Sequence, residues 1–338
     1  MEPKDKKVEE VEEKPRKKFS GFGYIFLAIL LVLGVLYARS LLAQNIVSGV
    51  VSSPADVLKN TDDRTNMVLL GIGGAGHEGG DLTDSILFVS FNLKNNTAIM
   101  IPIPRDIWIP SMKAKVNTAY HYGNERRDGG GRDLAKSAVS ELLGIPVHYA
   151  VTLDFQGFVK AIDAVGGVDI EVERTFDDYL YPIPGKETAE PESDRYEHIH
   201  FDKGLAHMDG TTALKFARSR HAEGDEGTDF ARGVRQQKII LAFRNKVIST
   251  STIFNSEIIN NLKDSVTTSV DMDVSTREQG GFFKVFLGLG NKDNVKSIEI
   301  TDYLTNPKLT REYGGQWVLI PKPSLQDLQS YVKAQLAN

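Results

Sequence analysis

Twenty consecutive residues without one charged side chain, Phe19 to Ala38, constrain this chain more than any other feature. As a helix, this stretch is about long enough to cross the hydrocarbon core of a bilayer. Four basic residues lie between positions 14 and 18 and only Arg39 follows at once, so the positive-inside rule predicts a cytoplasmic N-terminus. The stretch is longer than the apolar region of a usual signal peptide, and no small-x-small cleavage site follows it. The sequence therefore favours a single-pass signal anchor in the cell membrane over a cleaved signal.

The segments on either side of this stretch predict the domain organisation. Residues 1–18 carry seven basic and six acidic side chains, a composition that predicts a disordered cytoplasmic leader. Residues 19–38 form the predicted anchor. Residues 39–65 form a predicted stalk, which includes the polar stretch SSPADVLKNTDDRT with Pro54 in it. Residues 66–338 show no internal repeat and no second boundary, and about 270 residues are near the upper limit for one core. We expect one extracytoplasmic domain there.

Composition excludes several classes of function. The 40 Lys and Arg residues are balanced by 45 Asp and Glu residues, so no basic excess indicates a nucleic-acid partner. There is no cysteine, which excludes disulfide frameworks, cysteine-ligated zinc, iron–sulfur clusters and thiol nucleophiles. An anionic ligand must therefore be bound by a local site.

Strand-like and helix-like patterns alternate along the predicted domain. Asp133 is a candidate cap for a helix over Leu134–Leu143, which Gly144 would end. Asp154 is a candidate cap for a helix over Phe155–Val165, after which a glycine pair and the strand Val168–Val172 predict a crossover unit. Further strands are predicted at Met67–Leu70, Ser85–Asn92, Thr97–Ile103 and Val147–Leu153, and further helices at Thr211–Ala217, Phe230–Ile248, Arg277–Leu287 and Leu325–Leu336. The alternation favours an α/β fold, a three-layer α/β/α sandwich around a central mixed, mostly antiparallel sheet.

The segment Gly71-Ile72-Gly73-Gly74-Ala75-Gly76 matches the dinucleotide fingerprint G-x-G-x-x-G and follows a predicted strand. A Rossmann unit would need a helix opening at the third glycine, but the next predicted strand begins at Ser85, too soon for a crossover helix. No Lys-Ser/Thr pair of a P-loop follows either. We interpret the segment as a glycine-rich turn.

A set of arginines carries the clearest chemical signal. Arg105 follows a predicted strand, and Arg218-Ser219-Arg220 closes a predicted helix. On the next helix the spacing of Asp229, Arg232 and Gln236 places them on one face, with Arg235 turned away from it. Guanidinium groups that converge from separate segments suit a phosphate, because each donates two parallel hydrogen bonds and keeps its charge. Surface ion pairs such as Arg105–Asp106 and Asp229–Arg232 are the alternative interpretation.

Two interpretations remain open for the histidines near position 200. His198 and His200 alternate as strand neighbours on one face, and His207 and His221 follow, a pattern that permits a zinc site. Nearby prolines and acidic residues instead favour a variable surface excursion. No spacing of Ser, His and Asp supports a hydrolase triad.

Six segments together resemble the LytR-CpsA-Psr family, and they occur in the family's order. They are Asn66–Ile72, Leu82–Ile86, Ile103–Asp106, Lys115–Tyr120, Ala164–Asp169, and Arg218–Arg220 followed by Asp229–Arg232 and Arg235–Gln237. The single N-terminal anchor is similar too. The resemblance implies a Mg²⁺-assisted phosphotransferase on the outer face of the cell membrane. Such an enzyme moves a glycopolymer from an undecaprenyl (polyprenyl) pyrophosphate carrier to peptidoglycan.

The resemblance also implies roles for individual residues. Asp84 matches the family's magnesium aspartate. The matches to its diphosphate ligands are Arg105, Arg218, Arg220, Arg232 and Gln236, with Lys115 placed to contact the leaving phosphate. Asp84, Arg105 and Arg232 are the implied catalytic residues.

The sequence departs from the family at Gly73, where an aspartate is common. Asp81 is a candidate substitute for that carboxylate as a metal ligand, and His77 and Glu78 could fold over the site.

Two other functions fit the same arginines. One is a phosphatase or pyrophosphatase acting on the same lipid, with water as the attacking group. The other is a non-catalytic regulator that binds a lipid phosphate or a glycan. An aspartate next to the phosphate site, Asp84, favours catalysis over binding alone.

Overall fold

The structure is a computed structural model that describes residues 52–74, 79–186, 188–247, 270–289 and 294–337. The predicted leader, the anchor at Phe19 to Ala38 and most of the stalk lie outside these residues and stay predictions. Within the described ranges, no helix combines the length and apolar character that a bilayer span requires.

Helices and strands alternate along the chain, as the sequence predicts. The elements are α1 (Pro54–Val57), β1 (Arg64–Ile72), β2 (Thr83–Asn92), β3 (Thr97–Ile103), β4 (Trp108–Ile109), β5 (Ala114–Lys115), α2 (Ala119–Arg126), α3 (Gly130–Leu143), β6 (Tyr149–Asp154), α4 (Phe155–Ala164), β7 (Val168–Val172), β8 (Phe176–Pro182), β9 (Tyr196–Phe201), β10 (Gly204–Met208), α5 (Gly210–Arg218), α6 (Asp229–Val247), β11 (Val270–Met272), α7 (Thr276–Gly288), β12 (Val295–Ser297), β13 (Leu304–Thr305), β14 (Ile320–Pro321) and α8 (Leu325–Ala337). The four helices predicted after residue 210 are each confirmed to within one residue at either end.

A mixed sheet with the strand order β11-β6-β1-β2-β3-β12 forms the centre. Among its described strands, the pairs β1–β2, β2–β3 and β6–β11 are antiparallel. The pairs β1–β6 and β3–β12 are parallel. The mixed, mostly antiparallel sheet is therefore confirmed.

Helices cover both faces of this sheet. On one face Val68, Phe88 and Ile101 pack with residues of α3 and α8. On the other, Met67 and Val89 pack with residues of α7. Because successive strand residues point to opposite faces, a strand buried on both sides becomes a continuous apolar run, as β1 and β2 are. The result is the predicted three-layer arrangement.

A second apolar cluster lies outside the central sheet. It joins α4, α5 and α6 to β7 and to the hairpin β8–β9, with Val168, Phe176 and Phe216 at its centre. The predicted crossover unit is wrong in one respect, because β7 pairs with β10 in a separate two-stranded sheet. In the central sheet, the strand that pairs with β6 on the side away from β1 is β11. A crossover pattern predicts the order of elements, but the pairing partner depends on residues distant in sequence.

The predicted helix caps have mixed outcomes. Asp154 caps α4 as predicted, since its carboxylate accepts the amide of Gly157 at 2.6 Å. Asp133 does not cap α3, because the helix begins earlier, at Gly130, and Asp133 lies inside its first turn. There its carboxylate pairs with Arg127 and Lys136.

The glycine-rich segment after β1 is a hairpin connection. Strands β1 and β2 pair antiparallel from Arg64 to Ile72, which excludes the parallel crossover of a dinucleotide fold. Gly74 has φ +80°, and a Cβ there would lie 2.9 Å from the Cβ of Asp154. This close approach against β6 requires glycine.

Candidate functional site

One edge of the central sheet brings several of the predicted site residues together. Ile72, at the end of β1, lies beside Thr83 of β2 on one side and Asp154 of β6 on the other. Neighbouring strands are about 4.8 Å apart, so Thr83 and Asp154 are separated by roughly 10 Å. Near the same edge, Ile103 at the end of β3 pairs with Ile86 of β2. Asp84 and Arg105, which follow Thr83 and Ile103 closely, are thereby brought together.

Asp84 and Arg105 form the centre of a charged cluster. A guanidinium nitrogen of Arg105 donates to the carboxylate of Asp84. The Nε of Arg105 lies 3.7 Å from Asp106, and Asp106 accepts a hydrogen bond from Lys115 at 2.7 Å. Lys115 is fixed by strand β5, which pairs with β4 immediately after Asp106. The structure therefore brings Lys115 into the cluster with Arg105, as its predicted role requires.

Asn117 is a site residue that sequence reasoning missed. Its backbone amide donates to the backbone carbonyl of Arg105 at 3.2 Å, and its backbone carbonyl accepts a hydrogen bond from the Thr83 hydroxyl at 3.1 Å. It thus ties together the two segments that carry Arg105 and Asp84. Its side-chain oxygen is buried, with no hydrogen-bond partner among the described residues. A buried polar atom of this kind is costly unless a ligand, ion or water satisfies it.

Arg218 connects the arginine segment, residues Arg218–Arg220, to the same sheet edge. Its guanidinium lies over the ring of Phe155, 4.1 Å from the centroid, and Phe155 directly follows Asp154 of β6. The phenol of Tyr181 is also within reach, at 3.5 Å. Among the described residues, no carboxylate forms an ion pair with Arg218 or with the exposed Arg220. Within the part of the chain that the structure describes, these two positive charges thus have no neutralising carboxylate.

Asp178 holds the arginine segment in place. This buried carboxylate accepts the hydroxyl of Ser219 at 2.7 Å and the amides of Arg220 and His221 at 3.1 Å each. Burial alone would raise the pKa of Asp178, but these hydrogen bonds, with one from the Leu180 amide, lower it below its ordinary value. Sequence reasoning did not single out Asp178, because its partners lie about forty positions away in the chain.

Arg235 is a buried structural residue, consistent with its predicted separation from the site face. Its side chain is 3% exposed and donates to the carbonyls of Phe216 and Ser219, and to both the carbonyl and the carboxylate of Glu226. Burial lowers its pKa, and the Glu226 carboxylate opposes that shift. Through Ser219, Arg235 supports the arginine segment from α6.

Arg232 lies one turn before Arg235 on α6 and is half-buried. Its positive charge contributes to lowering the pKa of Arg235, after the larger effect of burial. The side chains of Gln236 and Asp229 lie outside the described part of the structure, so their roles stay predictions.

Asp81 has a histidine partner. Its carboxylate contacts Nδ1 of His121 at 2.6 Å, and the other ring nitrogen lies 3.5 Å from Glu125. The hydrogen bond with Asp81 raises the pKa of His121. His77 and Glu78 lie outside the described residues.

Two carboxylates near the start of β2 are the candidate ligands for a magnesium ion. Asp84 and Asp81 offer carboxylate oxygens that are about half exposed, at 54% and 45%. Mg²⁺ prefers hard oxygen ligands and commonly takes one or two carboxylates together with substrate phosphate oxygens. The unpartnered oxygen of Asn117, next in space to the segments of Asp84 and Arg105, supports a polar ligand at this position.

Comparison with known proteins identifies the family. Residues 39–333 match the LytR_cpsA_psr family, so the chain belongs to it, and the resemblance drawn from the sequence is confirmed.

Individual relatives agree with this assignment. The chain is 31% identical to the polyisoprenyl-teichoic acid–peptidoglycan teichoic acid transferase TagU of Oceanobacillus iheyensis, over 79% of this chain and 82% of TagU. It is 30% identical to the transferase of the same description, TagV, of Bacillus subtilis, over 65% of this chain but only 51% of TagV. Among solved structures, TagT bound to LIIa-WTA superposes with a TM-score of 0.54 at 26% identity, covering 85% of this chain and 97% of TagT.

Proposed function

We propose that this protein is a membrane-anchored, Mg²⁺-dependent phosphotransferase that moves a glycopolymer from a polyprenyl pyrophosphate carrier to peptidoglycan. The observation that carries the proposal is the pair Arg218 and Arg220, held on an ordered segment without carboxylate partners among the described residues. Arg218 is tied through Phe155 to the sheet edge that presents Asp84 and Arg105. The names of TagU and TagV support transfer of a glycopolymer to peptidoglycan, and undecaprenyl as the carrier lipid is part of the proposal.

The binding step follows from the charges. Arg218, Arg220 and Arg232, with Gln236, would hold the diphosphate, because guanidinium groups bind phosphate oxygens in pairs and remain charged. Arg105 is shared between Asp84 and Asp106, so a diphosphate would compete with these carboxylates for it. Lys115, which pairs with Asp106, would contact the leaving phosphate.

The transfer step needs charge neutralisation more than covalent chemistry by the protein. The acceptor hydroxyl forms a P–O bond with the glycan-side phosphorus and loses its proton to water. The bridging P–O bond breaks, and polyprenyl phosphate leaves with the electron pair of that bond. Mg²⁺ bound at Asp84 would neutralise phosphate charge. Arg105 and Arg232 would orient the phosphorus and stabilise the charge that develops on its oxygens.

The membrane part of the proposal rests on the apolar stretch Phe19 to Ala38 and its basic flank. Protease added to intact spheroplasts should shorten the chain to a small membrane-protected stub. Protection of the large domain would contradict an extracytoplasmic location.

Metal binding tests the site directly. With one family carboxylate replaced by Gly73, we expect Mg²⁺ to bind weakly alone and cooperatively with a short-chain prenyl diphosphate, each raising the other's affinity by the same factor. Calorimetric titration of Mg²⁺ into the full-length chain, with and without the diphosphate, measures that factor. Asp84→Ala should abolish the cooperativity between Mg²⁺ and the diphosphate. Arg105→Lys should weaken diphosphate binding but keep that cooperativity.

The exposed ion pair Arg174–Asp225, whose residues are not among the predicted ligands, provides matched controls. Asp225→Ala and Arg174→Lys should leave both titrations unchanged. Tight Mg²⁺ binding without the diphosphate would show that Asp81 or another residue replaces the missing aspartate. Undiminished diphosphate binding by both Arg218→Ala and Arg220→Ala would refute the phosphate site.

The acceptor separates transfer from hydrolysis. With lipid-linked glycan and Mg²⁺, release of polyprenyl phosphate should require added peptidoglycan and should yield glycan attached to it. Release at the same rate without acceptor would identify a pyrophosphatase. Saturable binding without any turnover would identify a regulator.

A further inference from the structure

Three potential metal ligands meet on the outer face of the hairpin β8–β9. The register pairs Asp177 of β8 directly with His200 of β9. His198 is two residues before His200, so both point to the same face of the strand. The intervening Ile199 is buried on the opposite face. Strand alternation therefore separates an apolar inner face from a polar outer face that carries two imidazoles and a carboxylate.

The three side chains converge on one point. A single oxygen, Oδ1 of Asp177, lies 2.7 Å from Nε2 of His198 and 2.8 Å from Nδ1 of His200. The ligand atoms of the three residues all lie within 4.8 Å of one another. A zinc ion holds nitrogen and oxygen ligands at about 2.0–2.2 Å, so it could contact all three after small movements of the side chains.

Both imidazole rings are oriented by further neighbours. The ring of Tyr179 stacks on His198 with centroids 4.2 Å apart and planes 7° apart. The second nitrogen of His200, Nε2, lies 3.2 Å from the carboxylate of Asp202. A carboxylate behind a metal-binding histidine is the arrangement that fixes the ring and strengthens its basicity at established sites. Asp202 would serve that role for His200.

We propose that Asp177, His198 and His200 bind a divalent transition-metal cation of the zinc class, with a coordination position left open to water. Two imidazole nitrogens and a carboxylate suit Zn²⁺ and its neighbours, whereas Mg²⁺ prefers oxygen ligands alone. The site is therefore chemically distinct from the one at Asp84, and it does not depend on the proposed function. By joining β8 to β9 beside Asp178, the ion would brace the strand that holds the arginine segment.

Calorimetric titration of ZnCl₂ into the full-length, chelator-treated chain tests the proposal. We expect saturable binding of one ion in the wild type and a loss of affinity of at least about 100-fold in the double variant His198→Ala/His200→Ala. Asp202→Asn should reduce the affinity by about 10- to 100-fold, the usual effect of removing an outer carboxylate. Zn²⁺ should also raise the melting temperature of the wild type and not of the double variant, because a ligand stabilises only the state that binds it.

His207→Ala is the matched control. His207 is exposed and pairs with one aspartate, Asp169, at 2.6 Å, but it is not part of the three-ligand group. Its loss should leave zinc affinity unchanged. Absence of saturable zinc binding in the wild type, or binding that survives in a double variant whose circular dichroism spectrum shows it folded, would overturn the proposal.

Discussion

The hydroxyl of Ser219 donates to the buried carboxylate of Asp178 at 2.7 Å, and this contact fixes the loop between two site arginines. Arg218 and Arg220 flank Ser219, so this buried pair fixes the backbone that carries both arginines. The same oxygen of Asp178 accepts two backbone amides of the loop. The position of two exposed or half-buried cations thus depends on a buried carboxylate in β8.

Replacing Asp178 should destabilise the fold and disturb the site together. Asp178→Ala leaves the Ser219 hydroxyl and the two amides without their shared buried acceptor, at an expected cost of about 2–4 kcal/mol in unfolding free energy. Asp178→Asn, which keeps an acceptor oxygen, should cost less. Urea unfolding measures both. Asp225→Asn, on an exposed pair, should stay within about 0.5 kcal/mol of the wild type; an equal effect at both positions would contradict the buried role of Asp178.

Phe155 should contribute to anion binding without contacting the anion. Phe155→Leu keeps apolar bulk but removes the ring under the Arg218 guanidinium, an interaction worth about 0.5–1 kcal/mol, or roughly 2- to 5-fold in affinity. Titration with a short-chain prenyl diphosphate measures this loss. Phe158, on the same helix, packs against the second apolar cluster, so Phe158→Leu should leave the affinity unchanged. Equal losses in both variants would indicate a general packing effect.

Arg235→Lys should destabilise the protein by about 2–4 kcal/mol although it conserves the charge. A lysine cannot reach the carbonyls of Phe216 and Ser219 and the Glu226 carboxylate at once, so buried acceptors lose their donors. Chemical denaturation is the measurement. Arg174→Lys, whose side chain is 61% exposed, serves as the control and should change stability little. A wild-type unfolding free energy for Arg235→Lys would show that the buried network is not stabilising.

His148 should make stability depend on pH in the mildly acidic range. Burial, helped by the charge of Lys59, lowers the pKa of His148, and its Nδ1 accepts the backbone amide of Asn66 at 2.9 Å. The unfolded chain therefore binds a proton at a higher pH than the folded chain does. Stability is fully present above the ordinary histidine pKa, about 6.5, and falls as the pH drops below it.

The variant His148→Asn tests this dependence, because its side-chain oxygen can accept the Asn66 amide without titrating. Unfolding free energies measured between pH 5 and 7.5 should fall less steeply toward acid than those of the wild type. Arg174→Lys, an exposed position that stays charged over this range, should keep the wild-type slope. A wild-type slope in His148→Asn would show that other groups cause the dependence.

The sequence predicted most elements because the signals for them are local. Apolar periodicity and the cap at Asp154 lie within windows of about ten to twenty residues, and they placed the four later helices correctly. The motifs also predicted the charged residues that the structure gathers at the sheet edge, Asp84, Arg105 and Lys115. The cap assigned to Asp133 was wrong because Gly130 already begins α3.

What the sequence by itself determined is the order of elements, the family motifs and the arginines of the predicted phosphate site. Only the tertiary structure decided that β7 leaves the central sheet, that Asp178 anchors the arginine segment, and that Asp177 meets His198 and His200. Each of these depends on strand pairing and register between residues far apart in the chain. A one-residue change in register would turn such side chains to the opposite face, and local patterns do not specify which distant strand becomes the partner.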